Sequence, residues 1–286
     1  MSEDHSGLDF RNGMIKKRLR NVGRVLLVLS GKGGVGKSVV SAALSAMMAG
    51  SGFRVGLMDA DIYGPSSALL FDTNCLPLEG DSGLIPPVSG GVKLMSVDLF
   101  ASGRPIPLTG SGANQVLLEL LALTDWGELD CLVVDMPPAT GDIMMSLTSL
   151  GKKELAAVVV TMPDRLSTTV AHRVLQLLKS GEISTLGVLG NMLPSSRGGN
   201  LMNQSGPRRL AKEFNVPLLG LLPFDVGVSA AVERGNVTSL LKTRFAVELR
   251  KSMDSYIDSF GKSRTSIRSR RVRRSTRQTG QREYSL

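Results

Sequence analysis

The chain has 286 residues, 42% of them hydrophobic but only 4% aromatic, and a formal net charge of +9. That length holds one large α/β domain or two ordinary ones, with a core that Leu, Val, Ala and Met must pack. The only two cysteines, Cys75 and Cys131, are far apart and in no metal-ligand spacing, which excludes a disulfide framework and predicts a reduced, cytoplasmic chain.

The first twenty residues are polar and charged, so no secretory signal is expected. No apolar run approaches the roughly 18 residues that would span a bilayer. The positive charge is concentrated at one end. Residues 261–286 hold nine Lys or Arg and one acid, Glu283, a net of +8, which leaves 25 basic and 24 acidic residues in the rest. The basic balance therefore describes a tail and is no argument for a nucleic-acid-binding body.

In chain order, residues 1–22 read as a polar leader, basic at Lys16, Lys17, Arg18 and Arg20. Val25 to Leu29 is a continuous apolar run, the pattern of a strand buried on both faces. A glycine-rich loop follows, then a helical stretch whose Val39, Ala42, Ala43 and Ala46 suit packing on a sheet. Within the loop, Gly31, Gly36, Lys37 and Ser38 match the phosphate-binding pattern G-x-x-x-x-G-K-[ST] between a strand and a helix. Phosphate oxygens are cradled only by backbone N–H groups that turn inward, and that loop shape needs glycine. The following helix adds its unpaired N–H groups and the positive end of its dipole. Gly31, Lys32, Gly33, Gly34, Val35, Gly36, Lys37, Ser38 and Val39 are thus the candidate nucleotide contacts. Lys37 is expected on the β- and γ-phosphates and the Ser38 hydroxyl on Mg²⁺.

Phe53 to Met58 predicts the second strand, which ends in the acidic pair Asp59 and Asp61. Acids at a strand end suit an open α/β sheet, whose ligands bind beyond the carboxyl ends of the strands. One of the pair is expected to orient the attacking water and the other to support the metal shell; a strand-end turn in which both cap backbone amides is the bland alternative. Residues 71–91 read as an irregular excursion or hairpin, Val92 to Val97 as a strand, Gly103 to Gly112 as a loop and Gln115 to Leu123 as a helix. Leu129 to Val134 is another buried strand, closed by Asp135, which has the form of a Walker-B aspartate holding Mg²⁺. Leu155 to Thr161 predicts a strand, Leu166 to Lys179 a helix, Thr185 to Leu189 a strand, 195–205 a polar loop, Pro207 to Phe214 a helix and Val216 to Leu222 a strand. Leu241, Phe245, Leu249, Met253, Tyr256, Ile257 and Phe260 recur at three and four residues, one apolar stripe of a closing helix. That stripe docks on the core or, alternatively, serves a membrane surface or a partner. The alternation predicts a single α/β P-loop domain over residues 23–260. Its mostly parallel sheet has about seven or eight strands, covered by helices on both faces.

Lys32, directly after the first glycine, is not required by an ordinary phosphate loop. The string K-G-G-V-G-K-S resembles the deviant loop of the MinD, ParA and Mrp ATPases. That resemblance implies a nucleotide-sandwich homodimer in which Lys32 reaches the partner's phosphates, and it places the water-orienting role on Asp61. The resemblance narrows further on. D-A-D-I-Y-G-P-S at 59–66, W-G-E-L-D-C-L-V-V-D-M-P-P-A-T-G-D at 126–142, Asn191-Met192, and L-G-L-L-P-F-D at 219–225 are similar to the Mrp-type ATP-binding iron–sulfur cluster carriers. The family pattern implies ATP and Mg²⁺ as ligands, with Asn191, Pro223 and Asp225 near the adenine. It also implies iron–sulfur cluster or metal-cofactor delivery to client or scaffold proteins.

Two departures stand out. The family commonly carries C-x-x-C shortly after the N-M pair, and residues 192–200 here contain no cysteine. Cluster iron needs thiolate ligands, usually four, so cluster binding by the usual route is not expected. Ala139 replaces the usual glycine in P-P-G-T-G-D. His5 and His172 form no catalytic group with a nucleophile. The Arg/Ser-rich tail 261–286 cannot bury enough surface to fold alone. It predicts either a solubilising end or an electrostatic tether to nucleic acid or an anionic surface. The alternative function is therefore a MinD/ParA-like positioning or partitioning switch that uses this tail; a regulatory nucleotide-binding protein with little turnover is a third.

Overall fold

The computed structural model describes residues 5–101, 110–138, 155–194 and 205–260. The switch positions 139–142, most of the loops expected at 103–112 and 195–205, and the basic tail lie outside the described residues.

The strands are β1 (Val22–Leu29), β2 (Val55–Asp59), β3 (Leu78–Gly80), β4 (Gly83–Ile85), β5 (Val88–Ser89), β6 (Val92–Ser96), β7 (Leu129–Asp135), β8 (Leu155–Thr161), β9 (Ser184–Leu193) and β10 (Leu218–Pro223). Eight of them form one sheet in the order β10-β9-β8-β1-β7-β2-β6-β5, while β3 and β4 pair separately as a hairpin. Every pairing in the large sheet is parallel except that of β5 with β6. The mostly parallel α/β fold expected from the alternation is the observed one.

Alternation of side chains along the buried strands divides the core in two. In β1, Val25, Leu27 and Leu29 face one layer, whereas Leu26 and Val28 face the other. Helix α1 (His5–Leu19), helix α5 (Gly110–Leu123) and the helix Arg165–Ser180 cover the first layer. Helix α2 (Lys37–Gly50) and the C-terminal helix at 244–260 cover the second. Small residues dominate the buried side of α2, with Ser41, Ala42, Ala43, Ser45 and Ala46 all buried, so its backbone lies close to the sheet.

Two regions differ in detail from expectation, and a third decides between alternatives. The segment read as a polar leader forms α1, whose Ile15 and Leu19 enter the core and which packs on α5. Arg18 Nε donates to the Ala122 carbonyl of α5 at 3.0 Å. Strand β9 continues past Leu189 to Leu193, because β10 pairs with it as far as Pro223↔Leu193. The C-terminal helix buries Phe245, Leu249, Met253, Ile257 and Phe260 against the sheet. Its apolar stripe is thus consumed by the core, which removes the surface-helix alternative. Arg24, at the start of β1, lies over the Phe260 ring at 4.4 Å. Among the described residues no helix is long and apolar enough to cross a membrane.

Ile15 is fully buried, so Ile15→Ala removes contacts that the surrounding core only partly recovers. The variant is expected to lose about 2–4 kcal/mol in urea unfolding. A loss below about 1 kcal/mol would show that α1 is not part of the cooperative unit.

Candidate functional site

The sheet order sets the site before any side chain is considered. Strand β1 lies between β8 and β7, and β7 lies beside β2, so the loops after β1, β2 and β7 emerge together at the carboxyl edge. The register aligns Val28 with Asp135 and Asp135 with Asp59. Two carboxylates from distant segments therefore stand side by side, next to the loop that leaves β1.

That loop is fixed by its neighbours. Gly36 has φ 84, and a Cβ there would lie 2.3 Å from Asn191 Nδ2. Both the backbone shape and the space demand glycine. A Cβ at Gly31 would lie 2.4 Å from the Val170 carbonyl carbon, because the helix Arg165–Ser180 presses on the loop. Asn191 Nδ2 donates to the Val35 carbonyl at 2.8 Å, tying the loop to β9. Helix α2 starts at Lys37 with no side-chain cap, so its first N–H groups remain available to an anion.

Lys37 is the hub. Its Nζ lies 2.8 Å from Asp135 Oδ1, 3.7 Å from Asp61 Oδ2 and 3.5 Å from the Ser38 hydroxyl. Lys37 is 6% exposed and Asp135 fully buried, so this is an ion pair out of water. Ser41, one turn further along α2, donates its hydroxyl to Asp135 Oδ1 at 2.9 Å. Asp135 Oδ2 is buried and has no hydrogen-bond partner among the described residues.

Asp59 is buried and fully engaged. Its Oδ2 accepts from Ser66 N and Ser67 N, each at 2.9 Å, and its Oδ1 accepts from Asp61 N at 3.1 Å. Burial, and then repulsion from Asp135, push its carboxyl up to about 6, against the hydrogen bonds and Lys37. Asp59 thereby anchors the segment that carries Asp61, whose own carboxylate faces Lys37.

These residues suit a hard cation. Divalent magnesium prefers oxygen ligands and commonly takes one or two carboxylates, water and phosphate oxygens. The bare Asp135 Oδ2 and the Ser38 hydroxyl provide such a set, with Asp59 beside Asp135 on the neighbouring strand. For iron the case is different. Cys75 is exposed and Cys131 is buried in β7. Among the described residues no three His, Cys, Asp or Glu side chains converge on a metal position.

Beside the loop, a small cavity is lined by Gly36, Val39, Asn191, Pro223, Asp225 and Phe245, among others. The residues expected near the adenine are thus brought together. Asp225 acts there as a backbone anchor: its carboxylate accepts from Gly227 N at 2.8 Å and Phe245 N at 3.2 Å. Lys32 is half-buried on the loop, and Ser30 Oγ donates to its carbonyl at 3.0 Å. It lies near Asp164, the cap of the helix Arg165–Ser180. Partial burial opposes ionisation of Asp164, but hydrogen bonds from Ser167 and the Lys32 charge outweigh it and hold the carboxyl below its usual range. His172 lies apart, bound to Glu213 at 2.8 Å and edge-on to Phe214. Sequence reasoning missed Ser41 and Phe245. The available signal for Ser41 was a hydroxyl four residues after Lys37 on the same helical face; Phe245 carried none beyond its place in the apolar stripe.

The family described as NUBPL iron-transfer P-loop NTPase, of the ParA group, matches residues 21–258. An "Iron-sulfur cluster carrier protein" of Rickettsia conorii is 34% identical over 228 residues, covering 79% of this chain and 69% of the relative. Among solved structures, a nucleotide-binding protein of Archaeoglobus fulgidus in complex with ADP is similar at a TM-score of 0.66 and 30% identity, covering 79% of this chain and 92% of that one. The cell division ATPase MinD of Pyrococcus furiosus shares the fold at a TM-score of 0.59 and 20% identity, covering 81% and 97%.

The raised Asp59 value has a defined sign. Its folded carboxyl holds a proton to higher pH than the unfolded one, so the folded state loses stability as pH rises through about 6. Asp59→Asn removes that dependence, and the hydrogen bond it loses from Asp61 N offsets the two curves by a constant. Between pH 5 and pH 7, without Mg²⁺, the parent should lose on the order of 1 kcal/mol relative to the variant in urea unfolding. Parallel curves would show that Asp59 titrates normally.

Proposed function

We propose that this chain, which belongs to the NUBPL iron-transfer family of P-loop NTPases, binds and hydrolyses ATP as a nucleotide-sandwich homodimer and serves iron–sulfur cluster or metal-cofactor delivery. The observation that carries the reading is the buried convergence of Lys37, Asp61 and Asp135 at the mouth of the phosphate loop. A lysine held between two acids is poised to exchange them for phosphate oxygens. The iron-sulfur carrier name of the Rickettsia relative supports the cargo.

On this reading the N–H groups of Gly31 to Val39 cradle the phosphates, and Lys37 leaves Asp135 for the β- and γ-oxygens. Asp135 and Ser38 would hold Mg²⁺ with support from Asp59, and the ion would supply charge neutralisation for the phosphates. Asp61 orients the attacking water once Lys37 has moved away from its carboxylate. Lys32 reaches across the dimer to the partner's phosphates. Asn191, Val39, Pro223 and Asp225 frame the base. The Asn191 amide donates to the Val35 carbonyl, which ties the base pocket to the phosphate loop.

Delivery here proceeds without the C-x-x-C that the family commonly has. Cys75 is the accessible thiol, and Cys131 packs in the core. Free thiols suit a reducing compartment, the cytoplasm. The positioning or partitioning alternative is not favoured, because the likeness to MinD, at 20% identity, concerns the fold alone.

Lys37→Ala is expected to abolish nucleotide binding, and Asp61→Ala to lower phosphate release at least a hundredfold while nucleotide is still bound. Unchanged phosphate release in either variant would assign the activity elsewhere. Anaerobic reconstitution with iron and sulfide tests the cargo. The expected result is that any cluster absorbance depends on Cys75 and disappears in Cys75→Ser; an unchanged cluster in that variant would contradict the assignment of the accessible thiol.

A further inference from the structure

We propose that Ser41 is a positioning residue for the metal-binding carboxylate: its hydroxyl holds Asp135 Oδ1 while Lys37 transfers to the nucleotide, so that Oδ2 stays directed at the cation. The proposal rests on the ATPase reading above.

The geometry of one carboxylate carries it. Asp135 is fully buried, and its two oxygens are treated unequally. Oδ1 receives Lys37 Nζ at 2.8 Å and Ser41 Oγ at 2.9 Å. Oδ2 receives nothing among the described residues. A buried carboxylate oxygen without a donor is costly unless a cation or ligand completes it. The asymmetry therefore marks Oδ2 as the metal-facing atom and Oδ1 as the atom by which the protein holds the group.

Lys37 cannot hold Oδ1 throughout the cycle. The phosphate loop places the same ammonium on the β- and γ-oxygens, so nucleotide binding draws it away from Asp135. Ser41 is then the donor that remains on Oδ1. It stands on α2, the helix that Lys37 begins, and is fully buried, so water does not replace it. The common role of a mid-helix serine is to donate to the carbonyl one turn back, and Ser41 Oγ also lies 3.1 Å from the Lys37 carbonyl. One hydroxyl has one proton. The ionised carboxylate, at the shorter distance, is the stronger acceptor. Ser45, one turn further, bonds the Ser41 carbonyl at 2.8 Å and no other group among the described residues, and so serves as the internal contrast of a purely helical hydroxyl.

The two roles separate experimentally. In the nucleotide-free protein Lys37 still satisfies Oδ1, so Ser41→Ala should melt within about 3 °C of the parent. In the nucleotide complex the loss should appear in the metal. Mn²⁺ affinity of the ADP complex, measured by electron paramagnetic resonance, should fall about ten- to a hundredfold, the effect of deleting a hydrogen bond to a charged group. ADP affinity in EDTA should stay within about twofold. Ser41→Cys, which keeps the volume but offers a weak donor, should follow Ser41→Ala. Ser45→Ala should leave Mn²⁺ affinity unchanged. Unchanged Mn²⁺ affinity in Ser41→Ala, or a parallel loss of ADP affinity in EDTA, would overturn the positioning role. Nucleotide binding by the parent in the same titrations would still stand, whereas a parent that binds no ADP would overturn both this role and the ATPase reading.

Discussion

The site depends on the ion pair between Lys37 and Asp135. Taking both charges out of water is expensive, and their attraction repays the cost only with good geometry and further hydrogen bonds. At 2.8 Å, with Ser41 as a second donor, the geometry is good on one side of the carboxylate and absent on the other. Charge is also out of balance. Asp61 and Asp135 share one ammonium with Asp59 on the neighbouring strand, and burial, then repulsion from Asp135, push the Asp59 carboxyl up to about 6. A cluster of this kind is stable enough to fold but is electrostatically incomplete. Drawing Lys37 onto a polyphosphate removes the local counter-charge, and a divalent ion then becomes the natural replacement.

Most of the sheet was legible because buried parallel strands announce themselves as unbroken apolar runs; Val25 to Leu29 and Leu129 to Val134 needed nothing else. The phosphate loop was legible because its chemistry constrains residue type locally. Asp135 could be named as a candidate from its strand, but its partnership with Asp59 could not. That proximity comes from the pairing of β2 with β7, two segments far apart in the chain. Ser41 was hidden for the same reason: its acceptor belongs to another element. Helix α1 was hidden by composition, since Ile15 and Leu19 are too few in a polar segment to draw a stripe, yet both are buried. At the other end the stripe of 244–260 was plain. Periodicity states that a face is buried, not what buries it, and here it is the sheet.

Glycine at two loop positions records how tightly the site is enclosed. At Gly31 the helix Arg165–Ser180 takes the space of a side chain, and at Gly36 the amide of Asn191 does. Sequence pattern explains these glycines by the curvature of the loop around phosphate. The structure adds a second cause, close approach from β8's following helix and from β9. The loop is therefore held from both sides.

The clamp at Asn191 connects the two halves of the functional question. Its amide holds the Val35 carbonyl in the phosphate loop, and the same residue lines the cavity beside Phe245. Strand β9 then continues to Leu193, directly before the positions at which the family commonly carries its cysteine pair. Residues 192–200 have no cysteine, but Asn191, the loop it clamps and the cluster at Lys37 are all in place. The cluster at Lys37 is held by the register of β1, β7 and β2, whereas the positions of the family's cysteine pair follow β9 in sequence.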